Sequence, residues 1–320
     1  MHIPDGFLDA RTVAFTAGLS AAGLGLALHQ ARRSLPRRRI PLMGLTAAVV
    51  FAGQMLNFPV FGGTSGHLVG SVLAGVLVGP SAACVVITAV LILQCLLFSD
   101  GGVTALGANV FNMAVVGTIG GYWIYHMVHR AMPTARGRLV AAAFAGWCST
   151  LLAAICCSGE LVMSGKAQAA HIFPVMIHVH MVIGLGEAAI TAMVLAAIAK
   201  TRPELIADSV PSDEGRPMLA TVAFGVVIAI GLALFVAPFA SQLPDGLEKT
   251  AEDLGFAAQA AAPAIAAPIP DYQMPGISSA AMGTAIAGMI GTLVAFLFAL
   301  LLARLLIPKP APQPVPASVQ

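Results

Sequence analysis

The feature that most constrains this chain is a series of apolar runs, each about as long as a helix that crosses a membrane. The hydrocarbon core of a bilayer requires roughly 20 apolar residues in a helix, because each residue advances the helix by about 1.5 Å. Only 9% of the 320 residues are charged and 58% are hydrophobic, which excludes a soluble globular domain. The sequence therefore predicts an all-α polytopic membrane protein, a helical bundle. The eight runs lie at 11–31, 40–58, 82–98, 106–128, 138–158, 173–199, 218–240 and 279–303.

A further apolar run, HLVGSVLAGVLV at 67–78, is short for a crossing, since a helix of this length covers only about 18 Å. The positions of the basic residues indicate whether this run crosses the membrane, because loops rich in Lys and Arg stay on the cytoplasmic side. If the short run crosses, 13 of the 16 basic residues fall on cytoplasmic segments, and only Arg11, Lys166 and Lys249 do not. We therefore expect seven core helices, two C-terminal helices and an N-terminus outside. The first ten residues lack the basic region of a cleavable signal.

Composition divides the chain into four parts. Residues 1–200 hold the seven-helix core, and 201–217 form a polar cytoplasmic linker with three prolines. Residues 218–308 form a two-helix segment, whose outer loop at 241–278 is rich in Ala and Pro. The last residues, 309–320, alternate Pro with small residues and are expected to be disordered.

The first two residues have the pattern of a metal chelate. A terminal amine, the amide nitrogen of the second residue and the imidazole of that residue can close two fused rings on one ion if the second residue is histidine. Met1 and His2 meet this condition. Three nitrogens in one plane suit Ni(II) or Cu(II) better than tetrahedral zinc. Because the amide must lose its proton, affinity should fall at low pH.

His67 is the candidate for a fourth ligand. It follows the glycine-rich loop NFPVFGGTSG at 57–66 and starts the short run on the same expected outer side as His2. Glycines in that loop permit close approach of the backbone. The alternative is a histidine that only caps a helix at the membrane interface, and spacing alone leaves both open.

Several polar residues in the apolar spans could support these ligands or link helices. Amides and hydroxyls within membrane helices act as hydrogen-bond partners between helices, or as partners of metal ligands. His180 and Glu187 share one helix face and could form an ion path or a packing lock, of which we favour the lock. The candidate supports are Asn57, Thr64, Ser65, Asn109 and Asn112.

Four segments together resemble a known family. They are MHIPDGFL at the start, GQMLNFPVFGGTSGHLVG at 53–70, GGVTALGANVFNMAVVG at 101–117 and HVHMVIGLGEAAIT at 178–191. They are similar to the substrate-binding subunit of energy-coupling-factor cobalt/nickel importers, the CbiM/NikM type. The segment at 218–304, with SQLPDGLEKTAEDLGF, resembles the small two-helix companion subunit, the PDGLE/CbiN type, here fused to the same chain.

The resemblance implies a function and its partners. The substrate would be Ni²⁺ or Co²⁺, held by the amine of Met1, two nitrogens of His2 and His67, with no permanently bound cofactor. The opening residues are closer to the nickel branch. A separate transmembrane coupling protein and cytoplasmic ATPases would drive transport across the bacterial plasma or inner membrane. Lipid surrounds the chain, and no nucleic-acid partner is expected.

Two other functions are weaker alternatives. A self-sufficient secondary transporter or channel would need inverted repeats or a continuous charged path, and the sequence offers only Glu187 and nearby histidines. An intramembrane metalloenzyme would need a general base and an open position on the metal. The chain has no G-x-x-x-x-G-K-[ST] loop and no H-E-x-x-H motif. We therefore expect a transport subunit that is not itself an enzyme.

Overall fold

The computed structural model describes residues 1–206 and 218–307, and these are mostly helical. One continuous helix, α5, runs over 106–131 and is α-helical at Leu106–Asn109, π-helical at Val110–Gly120 and α-helical again at Gly121–Ala131. Two short antiparallel strands, β1 (Phe58–Val60) and β2 (Thr64–Gly66), pair Phe58 with Gly66. The other helices are α1 (Ala10–Ser34), α2 (Ile40–Gln54), α3 (Ser71–Val78), α4 (Pro80–Phe98), α6 (Ala135–Met163), α7 (Ala169–Thr201), α8 (Met218–Phe235), α9 (Gly246–Asp253) and α10 (Ala280–Leu306).

The predicted class, an all-α polytopic membrane protein, is confirmed. Within the described ranges, α1, α4, α6, α7, α10 and the stretch Met218–Phe239 are long and apolar enough to cross a membrane. The shorter α2 and the composite α5 occupy two further predicted spans. The predicted linker falls largely outside the described residues, at 207–217, and so does the predicted tail at 309–320.

The short run at 67–78 is only partly helical. Its helix, α3, begins at Ser71, and the glycine-rich loop before it forms the β1–β2 hairpin. Gly79, at φ 84°, then reverses the chain, and Pro80 starts α4 at a position where its missing N–H costs nothing. The segment 67–78 and α4 therefore run antiparallel to each other. Residue 67 and the last residue of α4 consequently lie at the same end of the bundle.

Helix α4 is the centre of the bundle. Most of its residues are buried, and it packs against α1, α2, α3 and α5 of the core and also against α10. The two C-terminal helices attach chiefly through α2, which contacts both α8 and α10. The closest approach is at Gly291 of α10, where an added Cβ would lie 2.2 Å from the Phe51 ring. That ring belongs to an aromatic cluster with Phe98 and Tyr272.

A pair of matched glycines tests how tightly the C-terminal segment is packed. Gly291→Ala should lower the stability of the full chain by about 1–3 kcal/mol, because the new methyl group overpacks the Phe51 ring. Gly231→Ala in α8 adds the same helix propensity, but its Cβ meets nothing within 4 Å. Thermal unfolding of both variants in detergent measures the difference. Equal shifts in Tm would contradict the tight contact.

Candidate metal centre

The N-terminal residues are held inside the bundle by backbone hydrogen bonds. The Ile3 N–H donates to Asn109 Oδ1 at 2.8 Å, and Asn109 Nδ2 donates back to the Ile3 carbonyl at 3.1 Å. Gly102 N–H donates to the same carbonyl at 2.9 Å. Ile3 is fully buried. Asn109 thus fixes both polar groups of the Ile3 backbone, and Met1 and His2 have little freedom to move away.

A turn at Asp5 and Gly6 then leads the chain out toward α1. The Asp5 carboxylate accepts from the N–H and hydroxyl of Thr104 and from the N–H of Ala264. Burial raises the pKa of Asp5, but these hydrogen bonds outweigh it and lower the pKa below its ordinary value. Gly6 has φ 88° and lies so close to Ala261 that no side chain would fit. The predicted turn is therefore also a contact with the C-terminal segment.

The structure brings the three predicted ligands together. The Met1 amine lies 2.8 Å from His67 Nε2, and the imidazoles of His2 and His67 are stacked with their centroids 5.2 Å apart. The side chains of Met1 and His2 are only 4% and 6% exposed. The other ring nitrogen of His67, Nδ1, lies 3.0 Å from the Leu68 carbonyl, so the ring is held with Nε2 toward the amine.

The amine-to-imidazole distance is that of a hydrogen bond and also that between two neighbouring nitrogens of a planar metal site. Nitrogen ligands bind such ions at about 2.0 Å, so two neighbouring nitrogens of a square are about 2.8 Å apart. The Met1 nitrogen and His67 Nε2 are separated by this distance before any ion is considered. An ion beside both nitrogens would need His2 to supply the other two from its amide and its Nδ1.

Two carboxylates, which the sequence analysis missed, contact the same nitrogens. Asp245 Oδ2 accepts from the Met1 amine at 2.5 Å, and Asp100 Oδ1 lies 2.9 Å from His2 Nδ1. Tyr272 donates its hydroxyl to the second oxygen of Asp100 at 2.5 Å. His2 Nε2 is buried and has no partner among the described residues. Two nitrogens of the proposed chelate, the Met1 amine and His2 Nδ1, are thus each in contact with a carboxylate.

These carboxylates are strongly acidic. Burial by itself raises the pKa of Asp100, but the neighbouring His2 and the hydroxyl of Tyr272 hold it well below its usual range. Burial likewise raises the pKa of Asp245, and the charge of the Met1 amine reverses this and keeps the pKa low. Two ionised groups therefore lie where a divalent cation would arrive, and their charge favours it.

Asp245 is positioned by the C-terminal segment. Its Oδ1 accepts from the N–H groups of Leu247 and Glu248, so it is the N-cap of α9. Thr64 and Ser65, which we expected to support the ligands, donate to carbonyls of the residues just before Asp245. The β1–β2 hairpin therefore holds the Pro-Asp-Gly turn at 244–246 next to the candidate metal centre.

The remaining candidates are distributed around this centre. Asn112 donates to Glu160, and His180 Nδ1 lies 2.8 Å from the Met176 carbonyl. Glu187 accepts from the N–H groups of Val69 and Gly70 at 2.6 and 3.0 Å, two and three residues after His67 in the chain. Its contacts are those of a packing lock, which stays a prediction.

Asn57 lines a cavity beside His2 and His67. Its backbone carbonyl accepts a hydrogen bond from the N–H of Ser241 in the C-terminal segment. The sequence offered one signal for Asp245, the echo between IPDGFLD at 3–9 and LPDGLEK at 243–249. It offered none that would pair Asp100 with His2.

Comparison with known proteins identifies the family. The profile of "CbiM: Cobalt uptake substrate-specific transmembrane region" matches residues 2–205. The chain belongs to the CbiM family. A PDGLE domain follows at 219–308, so the C-terminal segment is a recognised domain fused to the CbiM region.

Full-length relatives share this fusion. The chain is 40% identical over 296 residues to a putative fused nickel transport protein NikMN of Archaeoglobus fulgidus, covering 92% of this chain and 95% of that one. It is 30% identical to the fused nickel transport protein NikMN of Rhodobacter capsulatus, covering 91% and 94%. The crystal structure of a truncated transition metal transporter matches with a TM-score of 0.57 and 31% identity, over 63% of this CbiM-family chain and 99% of that one. The protein is thus a member of a metal-transport family.

Two asparagines one turn apart in α5 test the placement of the N-terminus. Asn109→Leu removes both hydrogen bonds to Ile3 and should weaken Ni²⁺ binding by about 10- to 100-fold, as loss of partners outside a metal's ligands commonly does. Asn112→Leu is the matched control, because its side chain bonds to Glu160. Calorimetric titration of both folded variants measures the affinities. A larger loss for Asn112→Leu would show that the support is misassigned.

Proposed function

We propose that this protein is the metal-capturing membrane subunit of an ATP-driven importer for Ni²⁺ or Co²⁺. Its relatives are named as nickel transport proteins, and its family is described by cobalt uptake. The chain has no P-loop of its own. A separate transmembrane coupling protein and cytoplasmic ATPases supply the energy, and the chain resides in the bacterial plasma or inner membrane with its N-terminus outside.

The substrate ion binds to four nitrogens. They are the Met1 amine, the amide and Nδ1 of His2, and Nε2 of His67. The observation that carries this proposal is the 2.8 Å separation of the Met1 amine and His67 Nε2, which matches two neighbouring corners of a square. Residues 1–206 and 218–307 hold no group of three or more His, Cys, Asp or Glu side chains arranged to bind a metal, so the proposed site depends on the amine and amide nitrogens.

Binding exchanges carboxylate contacts for metal contacts. In the structure the Met1 amine contacts Asp245 and His2 Nδ1 contacts Asp100. When the ion binds, the Met1 ammonium and the His2 amide each release a proton to solvent, and a proton on His2 Nδ1 is released or moves to Nε2, so that lone pairs face the ion. The carboxylates are then left beside a buried positive charge, and this charge compensation reduces the cost of burying a cation, which is otherwise several kcal/mol. The two aspartates thus position the nitrogens and balance the charge of the bound ion.

Two residues added before Met1 test the role of the terminal amine. They move the amine by up to about 7 Å and place the histidine fourth in the chain, so neither the amine–amide–imidazole chelate proposed here nor the planar chelate of a histidine in third position can close. We expect the visible absorption of planar nickel to be lost and Ni²⁺ binding to become weak. A protease-removable extension that restores Met1 as the first residue is the control. Undiminished binding by the extended chain would contradict the proposed chelate.

The fourth ligand is tested by two histidine variants. His67→Ala should weaken Ni²⁺ binding by more than about 100-fold, beyond what partners outside the ligand set contribute. His171→Ala removes an exposed histidine from the start of α7 and should leave affinity unchanged. Titration of both purified variants with Ni²⁺ and Co²⁺ distinguishes them. Wild-type affinity of His67→Ala would show that the fourth nitrogen comes from elsewhere.

A further inference from the structure

A cavity of about 360 Å³ opens beside the metal centre, between the CbiM region and the PDGLE domain. His2 and His67 form part of its inner wall, with Gln54 and Asn57 of the CbiM region. The other wall belongs to the PDGLE domain and includes Asp245, Glu248, Asp271 and Tyr272. The four nitrogens are therefore reached through a space that neither region encloses alone.

The size of this cavity suits a hydrated ion. A water molecule occupies about 30 Å³ in the liquid, so an ion with six water ligands needs roughly 180 Å³. The cavity has room for such an ion with further waters around it. By contrast, the space beside Met1, His67 and His180 is about 10 Å³, too small for more than a single water. The side of Met1 that faces His180 therefore has no room for a hydrated ion.

The charge of the cavity also favours a cation. Its lining includes the carboxyl groups of Asp100, Asp245, Glu248 and Asp271, and no Lys or Arg of the described residues is among its lining. Asp100 and Asp245 already contact the nitrogens. Glu248 and Asp271 are exposed on the side of the PDGLE domain. Carboxylates around a concave surface concentrate cations at its mouth.

Two buried polar atoms without partners belong to residues that line the same space. Gln54 is only 4% exposed, and its Nε2 donates to the Val69 carbonyl at 2.9 Å. Its Oε1 has no partner among the described residues, and neither has His2 Nε2, although both residues line the cavity. Buried polar atoms are normally satisfied, so a small movement of either side chain toward the cavity would give its unpartnered atom a hydrogen bond to water on an ion.

We propose that this cavity is an antechamber that binds the hydrated divalent cation through its water ligands before nitrogens replace them. Gln54 Oε1 and the carboxylates of Glu248 and Asp271 accept hydrogen bonds from the waters of the ion. The ion then passes inward, and Met1, His2 and His67 displace the water. This inference rests on the proposed function, because it adds a first step to the same capture.

An inert complex tests the antechamber directly. Hexaamminecobalt(III) resembles a hydrated metal ion in shape and donates hydrogen bonds, but its ammonia ligands do not exchange, so it cannot bind to the nitrogens. We expect it to slow the association of Ni²⁺ with the full chain in nanodiscs of uncharged lipid, followed by stopped-flow absorption. The dissociation rate of bound Ni²⁺ should not change. Association that is unaffected by the complex would overturn the antechamber.

Two acidic variants show whether the effect belongs to the cavity. Asp271→Asn keeps the left-handed conformation at φ 53°, which asparagine tolerates, and removes one charge from the lining. It should slow Ni²⁺ association by about 3- to 10-fold at low salt and weaken inhibition by hexaamminecobalt(III). Glu252→Gln removes a charge from α9 outside the cavity, where it pairs with Lys249, and should change neither.

The outcomes separate this inference from the proposed function. Equal slowing by Asp271→Asn and Glu252→Gln would mean that only distant charge acts, which overturns the antechamber. Faster Ni²⁺ dissociation from Asp271→Asn, with unchanged association, would also overturn it. In both cases nickel binding by the wild-type chain would leave the proposed function intact. A wild-type chain that binds no nickel would overturn both.

Discussion

The Met1 amine is the point on which the rest of the metal centre depends. It lies between His67 Nε2 and Asp245 Oδ2, so one charged group joins the hairpin, the N-terminus and the PDGLE domain. A buried ammonium is tolerated only when it is paired and hydrogen-bonded. Because Asp245 also caps α9, the position of that helix is set by the same contact. The requirement to satisfy this one charge organises the outer end of the bundle.

The two Pro-Asp-Gly turns make reciprocal contacts. Asp5, in the turn of the CbiM region, accepts a hydrogen bond from Ala264 of the PDGLE domain. Asp245, in the turn of the PDGLE domain, accepts from Met1 of the CbiM region. Asp245 also accepts from the N–H of Leu247 two residues on, as short acidic side chains in turns do, whereas Asp5 accepts from the N–H of the distant Thr104. The two domains are thus joined by aspartate hydrogen bonds in both directions.

The PDGLE domain contacts the candidate metal centre in three ways. Its Asp245 accepts from the Met1 amine, its Tyr272 donates to Asp100, which contacts His2, and its residues form one wall of the cavity beside both. Tyr272 is itself held by stacking on Phe98 at the end of α4, with ring centroids 4.7 Å apart. Helix α4 therefore supports the aromatic cluster that contains Phe98 and Tyr272. Just beyond the end of α4, Asp100 provides the carboxylate that contacts His2. Fusion of the two domains in one chain keeps these contacts together.

The sequence by itself determined the helical membrane class, and it predicted the candidate ligands nearest in the chain. Hydropathy sets the class because unsatisfied backbone groups are excluded from lipid, and the geometry of fused chelate rings singles out His2 because it follows Met1 directly. The tertiary structure alone decided which carboxylates face these nitrogens. Asp100 and Asp245 lie about 100 and 245 residues from the N-terminus. The local sequence around an aspartate in a turn is the same whether its carboxylate only caps a helix or also binds a distant amine. The β1–β2 hairpin was likewise hidden, because its glycines predict a turn but the packing against Pro244 decides that strands form. Local rules act over a few residues, whereas these pairings arise only when distant segments are packed together.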